Sequence, residues 1–207
     1  MTESSFSAQR YNPTGLIAGF GASVSLAILV VGWFGGVDPL VRVAESHPAT
    51  MPSAAVGFAA LFGALLTVSH PQARFLGICV AISVVLLGLG NAVNLGTGTR
   101  PNLDMLFADG LLDVDRLSGV TSSALVFAAV GVVALTLGSR RATDLAETGA
   151  LIGLSGTVAT LLGHSFDPLS IYSIQYLSGV SEYEAGLFLL FFLALLTAAR
   201  NRKAALV

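Results

Sequence analysis

Six stretches free of Asp, Glu, Lys and Arg divide the chain, at 15–34, 52–69, 75–95, 121–137, 148–166 and 185–199. Polar residues gather between them, so the alternation runs on the scale of whole helices and not of helix faces. About 20 apolar residues in a helix cross the hydrocarbon of a bilayer. A charge at its centre costs about 2.5–3.5 kcal/mol on insertion scales. The pattern predicts an all-α integral membrane protein with six transmembrane helices. The fourth and sixth stretches are short and need their flanking residues to reach the headgroups. The first is too long for a signal-peptide core and predicts a retained helix.

The second, fourth and sixth stretches share a spacing. Ala55-x2-Phe58-x7-Leu66-Thr67 recurs as Ala124-x2-Phe127-x7-Leu135-Thr136 and as Ala185-x2-Phe188-x7-Leu196-Thr197. The intervening stretches each contain two apolar residues and a glycine: Val30-Val31-Gly32, Leu86-Leu87-Gly88 and Leu161-Leu162-Gly163. Self-similarity at a fixed interval points to a repeat architecture. The expectation is three tandem helical-hairpin repeats, about 15–69, 75–137 and 148–199, in one domain spanning 15–199. Residues 1–14 and 200–207 form short tails. Asp-Pro-Leu opens two of the long connections (38–40 and 167–169), and Leu-Ser-Gly-Val closes two (117–120 and 177–180). Small residues let membrane helices approach closely. On that ground Gly15 and Gly19, Gly57 and Gly63, and Gly149, Gly153 and Gly156 are expected at helix contacts. The Leu and Phe of the last helix are expected to face lipid.

Charge orients this arrangement. Connections alternate between short and long, and the short side with both tails holds Arg10, Arg74, Arg140, Arg141, Arg200, Arg202 and Lys203. The long side holds only Arg42, Arg100 and Arg116 as basic residues, against nine acidic ones. Seven Lys and Arg against three predict that both termini are cytoplasmic. Trp33, Tyr172, Tyr176 and Tyr183 then fall at the outer headgroup level, where amphipathic rings concentrate. Residues 103–112 mix apolar side chains with Asp104 and Asp109, as a helix lying in the interface would. Hydrophobic residues make up 54% and charged residues 11% of the 207 residues, which excludes water as the main solvent. Scattered basic residues give no support to nucleic-acid binding.

Candidate chemistry is sparse. Gly153-Leu154-Ser155-Gly156 matches the Gly-x-Ser-Gly of rhomboid-like intramembrane proteases, whose serine needs a histidine on a neighbouring helix. His164 lies on the same stretch, roughly 13 Å along a helix, so the match reads as coincidence and no catalytic residue is assigned. His47, His164 and Asp167 are weak metal candidates, since two of them precede prolines and convergence is not dictated; no metal is expected. Asp104, Asp109, Asp113 and Asp115 lack calcium-loop spacing and read as an acidic rim. Asn91 and Asn94 bond across helices or, with Trp33, His164 and Ser165, line an outward pocket. No cofactor is expected, and a bound lipid or quinone is compatible with such a pocket. Ion transport lacks the intramembrane charges that commonly mark a path.

The segments Ser123-Ala124-Leu125-Val126-Phe127 and Met51-Pro52-Ser53-Ala54-Ala55-Val56-Gly57-Phe58 carry a resemblance. They resemble the [Pro/Ser]-x-Thr-Ala-Leu-x-Phe-Leu-Leu-Leu-Gly repeats of the MASE-like multi-pass sensor regions of bacterial histidine kinases and diguanylate cyclases. Those regions lead into an output domain, whereas this sequence ends at Arg200-Asn201-Arg202-Lys203-Ala204-Ala205-Leu206-Val207. The resemblance implies a multi-pass protein of the bacterial inner membrane, non-enzymatic and sensor-like. It would bind an apolar or amphipathic ligand on the outer side and signal through a partner protein or a second copy. The alternative is an accessory or scaffold subunit of a larger membrane complex of respiratory or photosynthetic type. A lipid or quinone carrier ranks third.

Overall fold

A computed structural model describes residues 12–44, 47–68, 70–97, 104, 117–166 and 180–206, with the backbone alone at 71, 92 and 94–97. Six α-helices run through the described residues: α1 (Pro13–Ala27), α2 (Pro52–Thr67), α3 (Arg74–Thr97), α4 (Gly119–Leu137), α5 (Arg140–Phe166) and α6 (Glu182–Ala204). No strand occurs among the described residues. Among the described residues, five segments are long and apolar enough to cross a membrane: Pro13–Phe34, Arg74–Asn91, Gly119–Leu137, Arg140–Ser165 and Glu182–Ala204. The sixth helix of the pattern, α2, is equally apolar but has only 16 residues. At 1.5 Å per residue it is about 24 Å long, short of the hydrocarbon thickness.

Local chemistry sets the ends. Asn12 accepts from the Gly15 N–H and Pro13 follows it, a sound helix start because proline loses no bond in the first turn. Ser118 and Ser181 cap α4 and α6 by accepting from the N–H groups of Thr121 and Glu184. Gly138, at φ +71°, ends α4 in the left-handed conformation that glycine tolerates. The α5 and α6 helices run on into their charged flanks, beginning at Arg140 and ending at Ala204. Helix therefore continues into the segment expected as a tail, and the short predicted spans gain the length they needed. The first helix changes at Ile28 into seven residues of π-helix, through Phe34.

The odd and even helices occupy different layers. Each even helix packs against the other two, so α2, α4 and α6 form an inner triangle. α1 lies between α6 and α2, α3 between α2 and α4, and α5 between α4 and α6. Of the apolar stretch, 56% is buried in α4 and α6, against 28% in α1 and α3 and 17% in α5. Aromatic rings fill the interior. Phe58 and Phe188 meet edge-on at 4.6 Å, Phe62 and Phe191 at 5.6 Å, and Phe191 and Phe192 at 5.5 Å. Edge-to-face contacts of this kind favour aromatic rings beyond the area they bury.

Two expectations are corrected by this layering. The Leu and Phe of the last helix do not form the lipid face: Leu187, Phe188, Phe191, Phe192, Leu195 and Leu196 are all buried. A helix apolar on every side is the one suited to the interior. Most exposed apolar residues lie on the odd helices, among them Leu16, Phe20, Phe75, Leu86, Leu151 and Ile152, while the last helix exposes Leu193. The packing glycines are corrected in part. Gly57 faces Leu125, Gly149 faces Phe127 and Gly153 faces Phe192, whereas Gly19, Gly63 and Gly156 have open space beside them and Gly15 lies against its own cap, Asn12. The close approaches also use Gly21 against Phe62, Gly88 against Val126 and the Ser122 carbonyl, and Gly131 against Leu195. Successive helical residues turn about 100°, so Gly19 and Gly21 lie on nearly opposite faces of α1.

The shared Ala-x2-Phe spacing is also displaced in its middle copy. Ala55 and Ala185 stand four residues beyond their caps, Met51 and Ser181, while Ala124 stands six beyond Ser118. Phe58 and Phe188 consequently point into the core. Phe127 is 39% exposed and reaches the edge of Phe192 at 6.0 Å.

Candidate functional site

The starts of α2, α4 and α6 converge at the end of the bundle that carries the long connections, and a buried polar cluster joins them. Glu184, one turn into α6, is 1% exposed. Its Oε2 accepts from the Thr121 hydroxyl of α4 at 2.6 Å. The backbone N–H groups of Ser181 and of Met51, the residue that caps α2, lie beside its carboxylate. The Ser181 hydroxyl accepts from the Glu184 N–H at 3.1 Å, and Ser181-x-x-Glu184 has the spacing of a capping box. The carboxylate therefore bonds α6 to α4 and lies beside the start of α2.

Hydroxyls extend the cluster. Ser118 donates to Thr121 Oγ1 at 2.8 Å, and Thr50 Oγ1 lies 2.7 Å from Ser181 Oγ. Asp104, 2% exposed, accepts from the backbone N–H of Ser53 at 2.9 Å and from its hydroxyl at 3.1 Å. Burial pushes the Asp104 carboxyl above its ordinary value, and the two Ser53 bonds oppose that rise by favouring the charged form. Asp104 also lies close enough to act electrostatically on Glu184. The reading of Asp104 as part of an exposed acidic rim is thus corrected, because it is an interior helix-start ligand. Asp109, Asp113 and Asp115 lie outside the described residues.

The sequence-predicted residues distribute around this cluster. Trp33, in the π-helical segment, donates from Nε1 to the Thr50 carbonyl at 2.8 Å. Asn91 of α3 donates from Nδ2 to the Leu117 carbonyl at 3.1 Å and to Ser122 Oγ at 2.5 Å. Asn91 therefore sits in an interhelical contact. Trp33 and Asn91 bind equivalent points, the carbonyl just ahead of the capping residue of α2 and of α4. His164 is buried in the last turn of α5. Ser165 is exposed and bonds the Leu161 carbonyl of its own helix. The side chain of Asn94 lies outside the described residues.

The weaker readings separate further. His47 Nδ1 lies 2.6 Å from Glu182 Oε1, which pairs it with α6. Asp167 lies outside the described residues, and no group of three metal-ligating side chains occurs among those described. Ser155 is exposed and donates to the Leu151 carbonyl of its own helix, the geometry of a helix-surface serine.

The opposite end carries a second polar cluster on α6. Lys203 Nζ lies 2.7 Å from Asp144 Oδ1 and 3.1 Å from Glu147 Oε2, and Arg200 Nε lies 3.3 Å from Glu147 Oε1. Arg202 donates to the Leu135 carbonyl at 2.8 Å, closing the last turn of α4. Its guanidinium occupies the space that a side chain at Gly138 would need. Glu184, which the sequence reading placed in a loop, is the main residue it missed. Its signal was the Ser181-x-x-Glu184 box directly ahead of an apolar run.

Architecture and composition define an α-helical protein whose helices are suited to a membrane. Neither a family model, nor a curated protein, nor a solved structure matches the chain.

Proposed function

We propose that the chain is a non-enzymatic, sensor-like membrane module with six spans in three hairpins, both termini cytoplasmic, in a bacterial inner membrane. The observation that carries this reading is α6. This interior helix of 23 residues has its start bonded to α4 through Glu184 and, through its capping Ser181, to Thr50 just ahead of α2, and its end bonded to α5 and α4 through Lys203, Arg200 and Arg202. A displacement at one end of a packed helix is felt at the other, because tightly packed interiors transmit shifts rather than absorb them. The input is an event at the outer, long-connection end, where an apolar or amphipathic ligand meets Trp33 and its neighbours. The output is a partner protein reading the basic cytoplasmic rim. The seven-to-three excess of basic residues on the short-connection side and the MASE-like segments support the orientation and the class.

The second reading is an accessory subunit of a larger membrane complex, and α5 is the helix that favours it. It has the smallest buried share of the long helices and shows Leu151, Ile152, Val158 and Leu162 outward. A mild-detergent pull-down from native membranes, with size analysis and mass spectrometry, separates the two. A monomer or homodimer carrying a lipid, quinone or pigment supports the sensor-like module. A stoichiometric set of larger membrane subunits refutes it and establishes the accessory role.

A further inference from the structure

We infer that the short-connection end holds the phosphodiester headgroup of one anionic phospholipid between Arg74 of α3 and Arg202 of α6. The inference goes beyond the sensor-like reading and does not depend on it, since it needs only that the helices span a bilayer. Arg202 is anchored at the end of α4, where it donates to the Leu135 carbonyl at 2.8 Å and lies against Gly138. α3 runs antiparallel to α4, with Asn91 bonded to Ser122 and Gly88 against Val126. Arg74 lies nearly as far before Asn91 as Gly138 lies beyond Ser122, so this pairing brings Arg74 level with Gly138. There its charge is close enough to act on the Arg202 guanidinium.

Among the described residues no carboxylate neutralises this pair. Asp144 and Glu147, the acids described at this end, are taken by Lys203 and Arg200. Arg74 is exposed and makes no hydrogen bond or ion pair among the described residues. Arg202 spends one bond on a carbonyl, while a guanidinium carries five N–H donors. Two like charges held near each other repel, and an anion between them replaces that repulsion with two attractions. A phosphodiester suits the place, because the planar guanidinium fork matches phosphate oxygens. The apolar neighbours make the occupant a lipid and not free phosphate. Phe75 and Leu76, the next two residues of α3, are 77% and 59% exposed, and Leu137, beside Gly138, is 68% exposed. A phosphate at the level of the arginines lays its acyl chains along these side chains. Basic pockets between membrane helices hold anionic headgroups in this way.

The test is native mass spectrometry of the delipidated full chain in detergent, titrated with phosphatidylglycerol or with phosphatidylcholine. The expected result is one phosphatidylglycerol, bound roughly tenfold or more tighter than phosphatidylcholine. Arg74→Gln and Arg202→Gln should each weaken phosphatidylglycerol by about fivefold or more and leave phosphatidylcholine unchanged. Arg200→Gln removes the same charge from the same end, but Arg200 is turned to Glu147 of α5, so both lipids should bind it as they bind the wild type. Arg74→Gln breaks no bond among the described residues and keeps the test decisive if Arg202→Gln, which frees the end of α4, does not fold. Equal binding of the two lipids, equal losses in Arg74→Gln and Arg200→Gln, or undiminished phosphatidylglycerol binding by Arg74→Gln overturns the inference. Displacement of the lipid by inorganic phosphate at low millimolar concentration also overturns it, and assigns the arginine pair to a free anion.

Discussion

Replacing Phe191 by alanine removes a ring that is fully buried and lies 5.6 Å from Phe62 and 5.5 Å from Phe192. In a bilayer or detergent the unfolded helices remain in an apolar medium, so little of the usual water-transfer free energy is lost. What remains is the cavity and the ring contacts. Roughly 100 Å³ of vacated volume at about 24 cal/mol per Å³ gives about 2.4 kcal/mol. Two aromatic contacts add roughly 0.5–1.5 kcal/mol each, and partial collapse of neighbouring rings takes some of this back. The expected loss is about 3 kcal/mol. Leu151→Ala, on the exposed face of α5, should cost a small fraction of that, because its side chain has lipid on both sides of the comparison. Reversible unfolding in mixed micelles, followed by helical circular dichroism, gives both values. Equal costs for the two variants would refute the placement of α6 inside and α5 outside.

Further outcomes follow from the same contacts. Gly21→Val should destabilise by about 1–3 kcal/mol because its side chain meets the Phe62 ring, while Gly19→Ala should be neutral or slightly stabilising, both read by thermal unfolding in detergent. Asn91→Leu should cost about 0.6–2 kcal/mol without blocking insertion, since two interhelical hydrogen bonds go and a buried carbonyl and hydroxyl lose their donor. For Asp104 the native state holds its proton to a higher pH than the unfolded chain, whose carboxyl titrates near 3.8. Stability from this group is therefore full below that value and is lost as pH rises through the raised native value. Asp104→Asn, which still accepts from the Ser53 N–H, should remove that slope, and Asp104→Ala should lower stability at every pH. A wild-type melting curve that rises with pH relative to Asp104→Asn would contradict the assignment.

That the chain is built of long apolar helices, and the approximate limits of those described, was legible because absence of charge over 15 or more residues is a coarse signal that burial cannot disguise. Which helices lie inside was not. Spans such as α4 and α6 are apolar on all sides, so no face distinguishes a helix neighbour from a lipid chain. The last helix, richest in Phe and Leu, looked lipid-facing and is interior for that same apolar character. The glycine contacts failed where spacing was read without rotation: Gly57 and Gly63, six residues apart, do not share a face. Asp104 and Glu184 were counted among the acidic residues of the long connections because a charge total carries no geometry. In the structure each occupies a helix start, where unpaired N–H groups stabilise a carboxylate. Trp33 and Asn91 were singled out as unusual, but sequence alone could not decide between a pocket and the carbonyls they hold in the structure.

The arrangement of α2, α4 and α6 as an interior that links two polar ends is tested most directly by a lipid-soluble carbene probe activated in native membranes, with labelled residues mapped by mass spectrometry on the unmodified protein. Labelling concentrated at Leu16, Phe20, Leu86, Leu151 and Ile152, with Phe58, Phe191 and Leu195 spared, is the predicted result. Labelling of Phe191 and Leu195 as heavily as Leu151 and Ile152 would contradict it.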